Sequence, residues 1–154
     1  MTTRVGCPLQ RDFRILTVCC VSIIAALLVV GAVSHGVVRH IVQTSPLWIA
    51  IVLSVRGSGW SKWAALPCFF FWLLLMTAIW LFLLGWARIV SGTFSSTEIA
   101  MTLIVGLASI TGIVRALGMS SGIHAGWGAG ALLLVGGLQV MALRLSFLPT
   151  IANR

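Results

Sequence analysis

The chain has 154 residues, of which 60% are apolar and only 8% are charged, and its mean hydropathy is +1.13. Soluble domains carry about 25% charged residues, so this composition excludes a water-soluble fold and predicts a single-domain, all-α integral membrane protein whose solvent is the lipid bilayer. The formal net charge is +8, but the ten cations are spread singly along the chain. This distribution excludes the clustered basic surface of a nucleic-acid-binding protein.

The first apolar segment covers about residues 15–35 and follows a basic stretch that contains Arg4, Arg11 and Arg14. A signal peptide has the same order of features, and Ala32 and Ser34 have the small-x-small spacing of a cleavage site. The apolar run is longer than the core of a signal peptide, and further apolar segments follow it. We therefore expect an uncleaved first transmembrane helix, and the basic start predicts a cytoplasmic N-terminus.

The second apolar segment leaves the number of spans open. Leu47–Val55 would reach only about 14 Å as a helix, roughly half the thickness of the hydrocarbon core, and Ser45 followed by Pro46 is typical of a helix start. We therefore expect four transmembrane helices plus a short re-entrant or interfacial helix over residues 46–55. In the alternative there are five spans, the second helix begins near Val37, and Pro46 kinks its middle. Each arrangement puts six cations on one side and four on the other, so the positive-inside rule does not choose between them.

The third segment, residues 64–87, carries no charge and would reach about 36 Å as a helix, which is enough to cross a bilayer. Tryptophans near both ends favour the two membrane interfaces. Large apolar residues follow one another in alternating steps of three and four. They are Phe69, Trp72, Met76, Ile79, Leu83 and Trp86. This spacing predicts one packing face, for a partner helix or a flat pigment.

Two further spans are expected over residues 96–117 and 125–146. Ser95 and Glu98 have the spacing of a capping box that opens the first of them. Before and within the last span, Gly122, Gly126 and Gly130 recur every four residues, and so do Ala108, Gly112 and Ala116 in the span before it. Such small-xxx-small repeats let helix backbones approach closely in lipid, so they predict helix packing within the chain or between copies.

Three histidines, His35, His40 and His124, are the candidate ligands of a haem or pigment, for which an imidazole must reach the iron or magnesium within the bundle. On one helix, His35 and His40 would point about 140° apart and could not share one ion. His35 and His124 would lie on the same side of the membrane only in the four-span arrangement. Neither a metal site nor a catalytic set is expected. Three further residues are polar candidates within or near the spans: Arg39, Gln43 and Gln139.

With only two carboxylates in the chain, we expect a non-catalytic protein, since enzymes use sets of convergent ionisable groups. The first expectation is an accessory or scaffold subunit that packs against other membrane-protein subunits or against itself. The alternatives are a small channel or carrier for an ion or small solute, with Arg39 at the segment near Pro46, and a haem- or pigment-binding subunit. The compact, arginine-rich loops favour a multi-pass protein of a bacterial-type inner membrane.

Overall fold

The computed structural model describes residues 8–87 and 94–152, and within these ranges the chain is almost entirely helical. The helices are α1 (Pro8–Val33), α2 (Val37–Val55), α3 (Trp60–Leu83), α4 (Ser96–Gly118), α5 (Ala125–Ser146) and the one-turn α6 (Pro149–Ala152). The first five are long and apolar enough to cross a membrane. The expected all-α class is confirmed, and the five apolar helices indicate a multi-pass membrane protein.

Helix α2 corrects the expectation of a short helix over residues 46–55. It begins at Val37 and runs for 19 residues with Pro46 in its interior, a length of about 28 Å at about 1.5 Å per residue. Pro46 has no N–H to give to the carbonyl of Val42, but the hydroxyl of Ser45 donates to that carbonyl at 2.8 Å. Serine and threonine hydroxyls commonly supply the bond that a proline removes from an apolar helix. The Ser45–Pro46 pair is therefore a mid-helix feature and not a helix start.

The turn between α1 and α2 is very short because α1 ends in a left-handed residue. His35 has a φ of +57°, and the N–H of Gly36 donates to the carbonyl of Gly31 at 2.8 Å. This is the bond pattern of a Schellman cap, in which glycine usually takes the left-handed position. The cap reverses the chain within three residues, so α2 runs back along α1.

Helix α3 begins and ends earlier than the expected span of residues 64–87. It starts at Trp60 and stops at Leu83, where Gly85 has a φ of +75° and the N–H of Trp86 donates to the carbonyl of Leu81 at 2.9 Å. The left-handed glycine terminates the helix because it allows the last carbonyls to bond to the following turn. Trp86 therefore lies beyond the helix and not on its packing face.

The helices alternate in direction and enclose one core. Helix α1 packs between α2 and α4, α5 packs on α2 and α3, and α3 contacts each of the other four long helices. We call the end of the bundle with the turn at residues 34–36 and the start of α4 the upper end. The end with the turns at residues 56–59 and 119–124 is the lower end.

Two aromatic residues of α3 fit against glycines of neighbouring helices. The ring of Phe69, which is 0% exposed, lies where a Cβ atom at Gly112 of α4 would be. The ring of Trp63 lies in the same way over Gly128 of α5. Small residues allow such close approach, and in lipid this packing is a main source of helix association.

Polar contacts join three helices at the lower end. The ammonium of Lys62 donates to the carbonyl of Met119 at 2.8 Å, just beyond the C-terminal end of α4, where a cation is favoured by the helix dipole. The indole N–H of Trp63 donates to the hydroxyl of Ser121 at 3.2 Å. In the described ranges, the one ion pair joins Asp12 to Arg115 at 3.8 Å; both side chains are partly exposed, so this pair contributes little stability.

Candidate binding cavity

A cavity of about 460 Å³ lies at the upper end, with residues of all five long helices in its wall. This volume falls in the range of small-molecule sites, about 300–1,000 Å³. The deeper wall is apolar, for example Leu27, Met76 and Val105, whereas Arg39, His40 and other polar side chains line the rest. The cavity therefore has an apolar body and a polar portion, as ligand sites generally do.

The cavity extends well into the bundle. Val105 lies nine residues after Ser96, the first residue of α4, about 14 Å along the helix at about 1.5 Å per residue. Trp72 lies near the middle of α3, 11 residues before the C-terminal residue Leu83. The deepest part of the cavity is therefore about halfway along helices that are long enough to cross a bilayer.

Three polar atoms of cavity-lining residues are buried without a hydrogen-bond partner in the described part of the chain. They are Arg39 Nε, His40 Nδ1 and Trp72 Nε1. The guanidinium carbon of Arg39 lies 4.2 Å from the centroid of the Phe147 ring, a cation–π contact that holds the group against the wall. Trp72 is only 2% exposed, so its indole N–H cannot be satisfied by bulk water.

The carboxylate of Glu98 also lines the cavity, but it is already engaged. Its Oε2 atom accepts from the N–H of Ser95 at 2.7 Å and from the hydroxyl of Ser95 at 2.8 Å. Together with the bond from the Glu98 N–H to Ser95 Oγ, these contacts form the capping box that the sequence predicts. Glu98 is thus held at the positive end of α4, and over residues 8–87 and 94–152 it makes no ion pair with Arg39.

The polar candidates Gln43 and Gln139 meet between α2 and α5. The side-chain amide of Gln139 donates to the backbone carbonyl of Gln43 at 2.9 Å, and the amide of Gln43 donates to the hydroxyl of Ser146 at 2.9 Å. Ser146 in turn donates to the carbonyl of Leu143 at 2.6 Å. Interhelical bonds of this kind contribute on average about 0.6 kcal/mol in membrane bundles, and here they fix the lateral position of α5 against α2.

The three histidines do not come together. His35 occupies the left-handed position of the upper turn and is exposed, His40 lines the cavity, and His124 lies at the lower end. There His124 is the N-cap of α5, and its Nδ1 atom accepts from the N–H of Gly126 at 3.2 Å. Within the described residues, no group of three or more histidine, cysteine or acidic side chains could hold a metal ion.

The packing face expected on α3 lies largely inside the chain's own bundle. Phe69, Trp72 and Met76 are buried, whereas Ile79 and Leu83 are half-buried and Trp86 is 78% exposed. Trp72, Met76 and Ile79 also line the cavity. Between residues 69 and 79, this face therefore contacts neighbouring helices or lines the cavity.

The repeated glycines before and within α5 are not those that pack closely. Gly122 lies in the lower turn with a φ of +63°, whereas Gly126 and Gly130 are on the exposed face of α5. A Cβ atom at Gly130 would meet nothing within 4 Å. The close contacts are instead made by Gly128 and by Gly112, which belongs to the repeat Ala108, Gly112 and Ala116. Each lies opposite an aromatic ring of α3, and spacing along one helix does not identify that ring.

Sequence reasoning did not identify the cavity or the indole donor of Trp72, because the lining comes from five separate helices. The signal that could have suggested it is Arg39, a cation placed early in an otherwise apolar helix. Comparisons with protein-family models, with curated proteins and with solved structures find no match to this chain. Its function is therefore inferred from its own residues.

Proposed function

We propose that the five long helices span the membrane as five antiparallel transmembrane helices, with the N-terminus in the cytoplasm. With this orientation Arg4, Arg11, Arg14 and the lower turns are cytoplasmic, in keeping with the positive-inside rule. The cavity then opens on the opposite, extracytoplasmic side, because it lies at the end away from the N-terminus. A bacterial-type inner membrane fits the compact loops.

We further propose that the protein is a non-catalytic membrane protein that takes a small solute into this cavity, as a binding protein or carrier does. The observation that carries this proposal is the set of buried polar atoms without partners at Arg39, His40 and Trp72. Leaving a buried polar group unpaired costs about 1–3 kcal/mol. Three such groups belong to residues that line one cavity, and a small shift of their side chains would let a bound solute satisfy them.

Thiol labelling tests both the orientation and the access to the cavity. In a Cys7→Ser background, where Cys19, Cys20 and Cys68 are buried, we expect Ile79→Cys to react with a charged, membrane-impermeant thiosulfonate added from outside. The reason is that Ile79 lines the cavity. Ser58→Cys, in the lower turn, should react only when the reagent reaches the cytoplasmic side.

Leu74→Cys is the matched control, because Leu74 is on the same helix but on its exposed outer face, where lipid would exclude a charged reagent. If Ile79→Cys is as unreactive as Leu74→Cys, the cavity is closed to water and the proposed function is wrong. If Ile79→Cys and Ser58→Cys react from the same side, the proposed topology is wrong.

The outer face of α5 favours a second candidate function, that of an accessory or scaffold subunit. Gly126 and Gly130 are exposed, and a Cβ atom at Gly130 or Gly137 would contact nothing within the described chain. Small residues without a neighbour in a membrane helix are suited to close contact with a helix of another subunit or of a second copy.

We expect Gly130→Leu to abolish such an association, since the leucine would hold the two backbones apart. The measurement is the molar mass of the detergent-solubilised protein together with any partner that co-purifies in stoichiometric amount. Gly106→Leu is the control, because Gly106 is also a helical glycine with open space around it but lies on α4. Equal mass for the wild type and both variants, without a partner in any of them, would contradict this function.

A further inference from the structure

The polar atoms in the cavity define the chemistry of the solute that fits it. Arg39 Nε and Trp72 Nε1 can only donate hydrogen bonds, and His40 Nδ1 can donate or accept. The one carboxylate in the wall, Glu98, already accepts two bonds from Ser95. The buried side-chain atoms of the lining that have no partner among the described residues are thus donors at Arg39 and Trp72 and a donor or acceptor at His40, so a molecule that brings acceptor oxygens complements them.

The electrostatics favour a negative charge on that molecule. Arg39 lies in the first turn of α2, where the positive end of the helix dipole adds to the positive charge of its guanidinium. This turn contains no acidic residue, and its N-cap, Gly36, has no side chain to bond the free N–H groups. By contrast, the charge of Glu98 is balanced by the dipole of α4. An anion beside Arg39 would offset the positive charge of the guanidinium at the start of α2 and would also accept hydrogen bonds from it.

The apolar part of the cavity wall determines what the rest of the solute should be. Leu27, Leu75 and Met76 lie deeper in the bundle than Arg39, and Val105 lies beside them. Because these side chains bury best against apolar groups, the solute should place a hydrocarbon body inward and its charged head toward the upper end.

Resting on the proposed function, we propose that the cavity binds an anionic amphiphile, an organic acid with a carboxylate or phosphate head near Arg39 and His40 and an apolar body along Met76 and Val105. A charge-assisted hydrogen bond to arginine is stronger than one between neutral groups. Arg39 therefore selects the acid over a neutral analogue of equal length.

Equilibrium binding of radiolabelled decanoate, decanol and decyltrimethylammonium to the protein in phosphatidylcholine nanodiscs tests this proposal, with uptake by protein-free nanodiscs subtracted. We expect saturable binding in which decanoate binds most tightly. Arg39→Gln should weaken decanoate binding by about tenfold to a hundredfold and leave decanol binding unchanged, which also shows that the variant is folded. Arg56→Gln, at the other end of α2, should change neither.

His40→Phe keeps a ring in the cavity wall and removes the nitrogen atoms next to Arg39, so it should weaken decanoate binding by about two- to tenfold, whereas Trp48→Phe on the exposed face of α2 should not. This second pair of variants keeps the proposal testable if Arg39→Gln does not fold. A tighter affinity for the cation, or equal affinities for acid and alcohol that Arg39→Gln and His40→Phe leave unchanged, would overturn the anionic class while cavity binding stands. Absence of saturable binding for all three probes would overturn the proposed function as well.

The same assay distinguishes the two sources of such an anion. If the occupant is a lipid headgroup, adding phosphatidylglycerol to the nanodiscs should lower the apparent affinity for decanoate in the wild type by competition. If the occupant is a free organic acid, phosphatidylglycerol should leave the affinity unchanged. Both results support an anionic amphiphile and identify where it comes from.

Discussion

Replacing Gly112 with alanine should lower the free energy of unfolding by about 1–3 kcal/mol, the usual cost of overpacking a core. The added methyl group would overlap the ring of Phe69, and this ring cannot move aside because it is 0% exposed and enclosed by the core. The measurement is reversible unfolding in mixed micelles, with the loss of helical circular dichroism as the signal.

A double-mutant cycle isolates the contact. Phe69→Leu makes room for the methyl group, so Gly112→Ala in the Phe69→Leu background should cost at least about 0.5 kcal/mol less than in the wild type. Gly106→Ala is the control on the same helix; a Cβ atom there meets nothing within 4 Å, and alanine has the higher helix propensity, so this variant should be neutral or slightly stabilised. Equal effects of Gly112→Ala and Gly106→Ala would contradict the described packing of α4 on α3.

Gly128→Ala should have the second-largest effect, a loss of about 1–2 kcal/mol. The new methyl group would overlap the indole ring of Trp63. Trp63 is only half-buried, so the ring can tilt outward, but the tilt would break the bond from its N–H to the hydroxyl of Ser121. The cost therefore combines partial overpacking with one lost hydrogen bond, and thermal unfolding in detergent should show it as a lower midpoint.

Gly130→Ala is the control for this site, since it lies two residues along the same helix and has open space around it. Trp63→Leu should remove most of the difference between the Gly128→Ala variant and its parent. The assigned contact between α3 and α5 would be wrong if Gly128→Ala left the midpoint unchanged while Gly112→Ala lowered it.

The sequence is sufficient to predict much of the architecture because apolar helix length and caps are local properties. The spans expected over residues 96–117 and 125–146 differ from α4 and α5 by no more than one residue at their ends, and Ser95 marks the start of α4. The second helix is different. Its start depends on the role of Ser45. The Ser45–Pro46 pair can cap a helix that begins at Pro46, or the Ser45 hydroxyl can replace the hydrogen bond that Pro46 removes from a longer helix.

The candidate site was less predictable because it depends on contacts between helices. Gly112 and Gly130 both belong to regular small-residue repeats, yet only Gly112 meets an aromatic ring, and Gly128, outside these repeats, meets another. Helix spacing defines a face but does not identify the residue that packs on it. Likewise, Arg39 stands out in the sequence as an isolated cation, whereas Trp72 looks like one more apolar ring. Only the packing of α2 against α3 places the two in one cavity.

Pro46 has one more consequence. A helix that lacks a backbone hydrogen bond at its centre bends there more easily than elsewhere, so Pro46 is a bend point of α2. Residues 37–45, which include Arg39 and His40, precede this bend point, and the three-residue turn to α1 limits how far they can move. The residues that would hold a solute therefore lie on one side of this bend point, and a change in the bend of α2 would alter the shape of the cavity without separating α3 from α4.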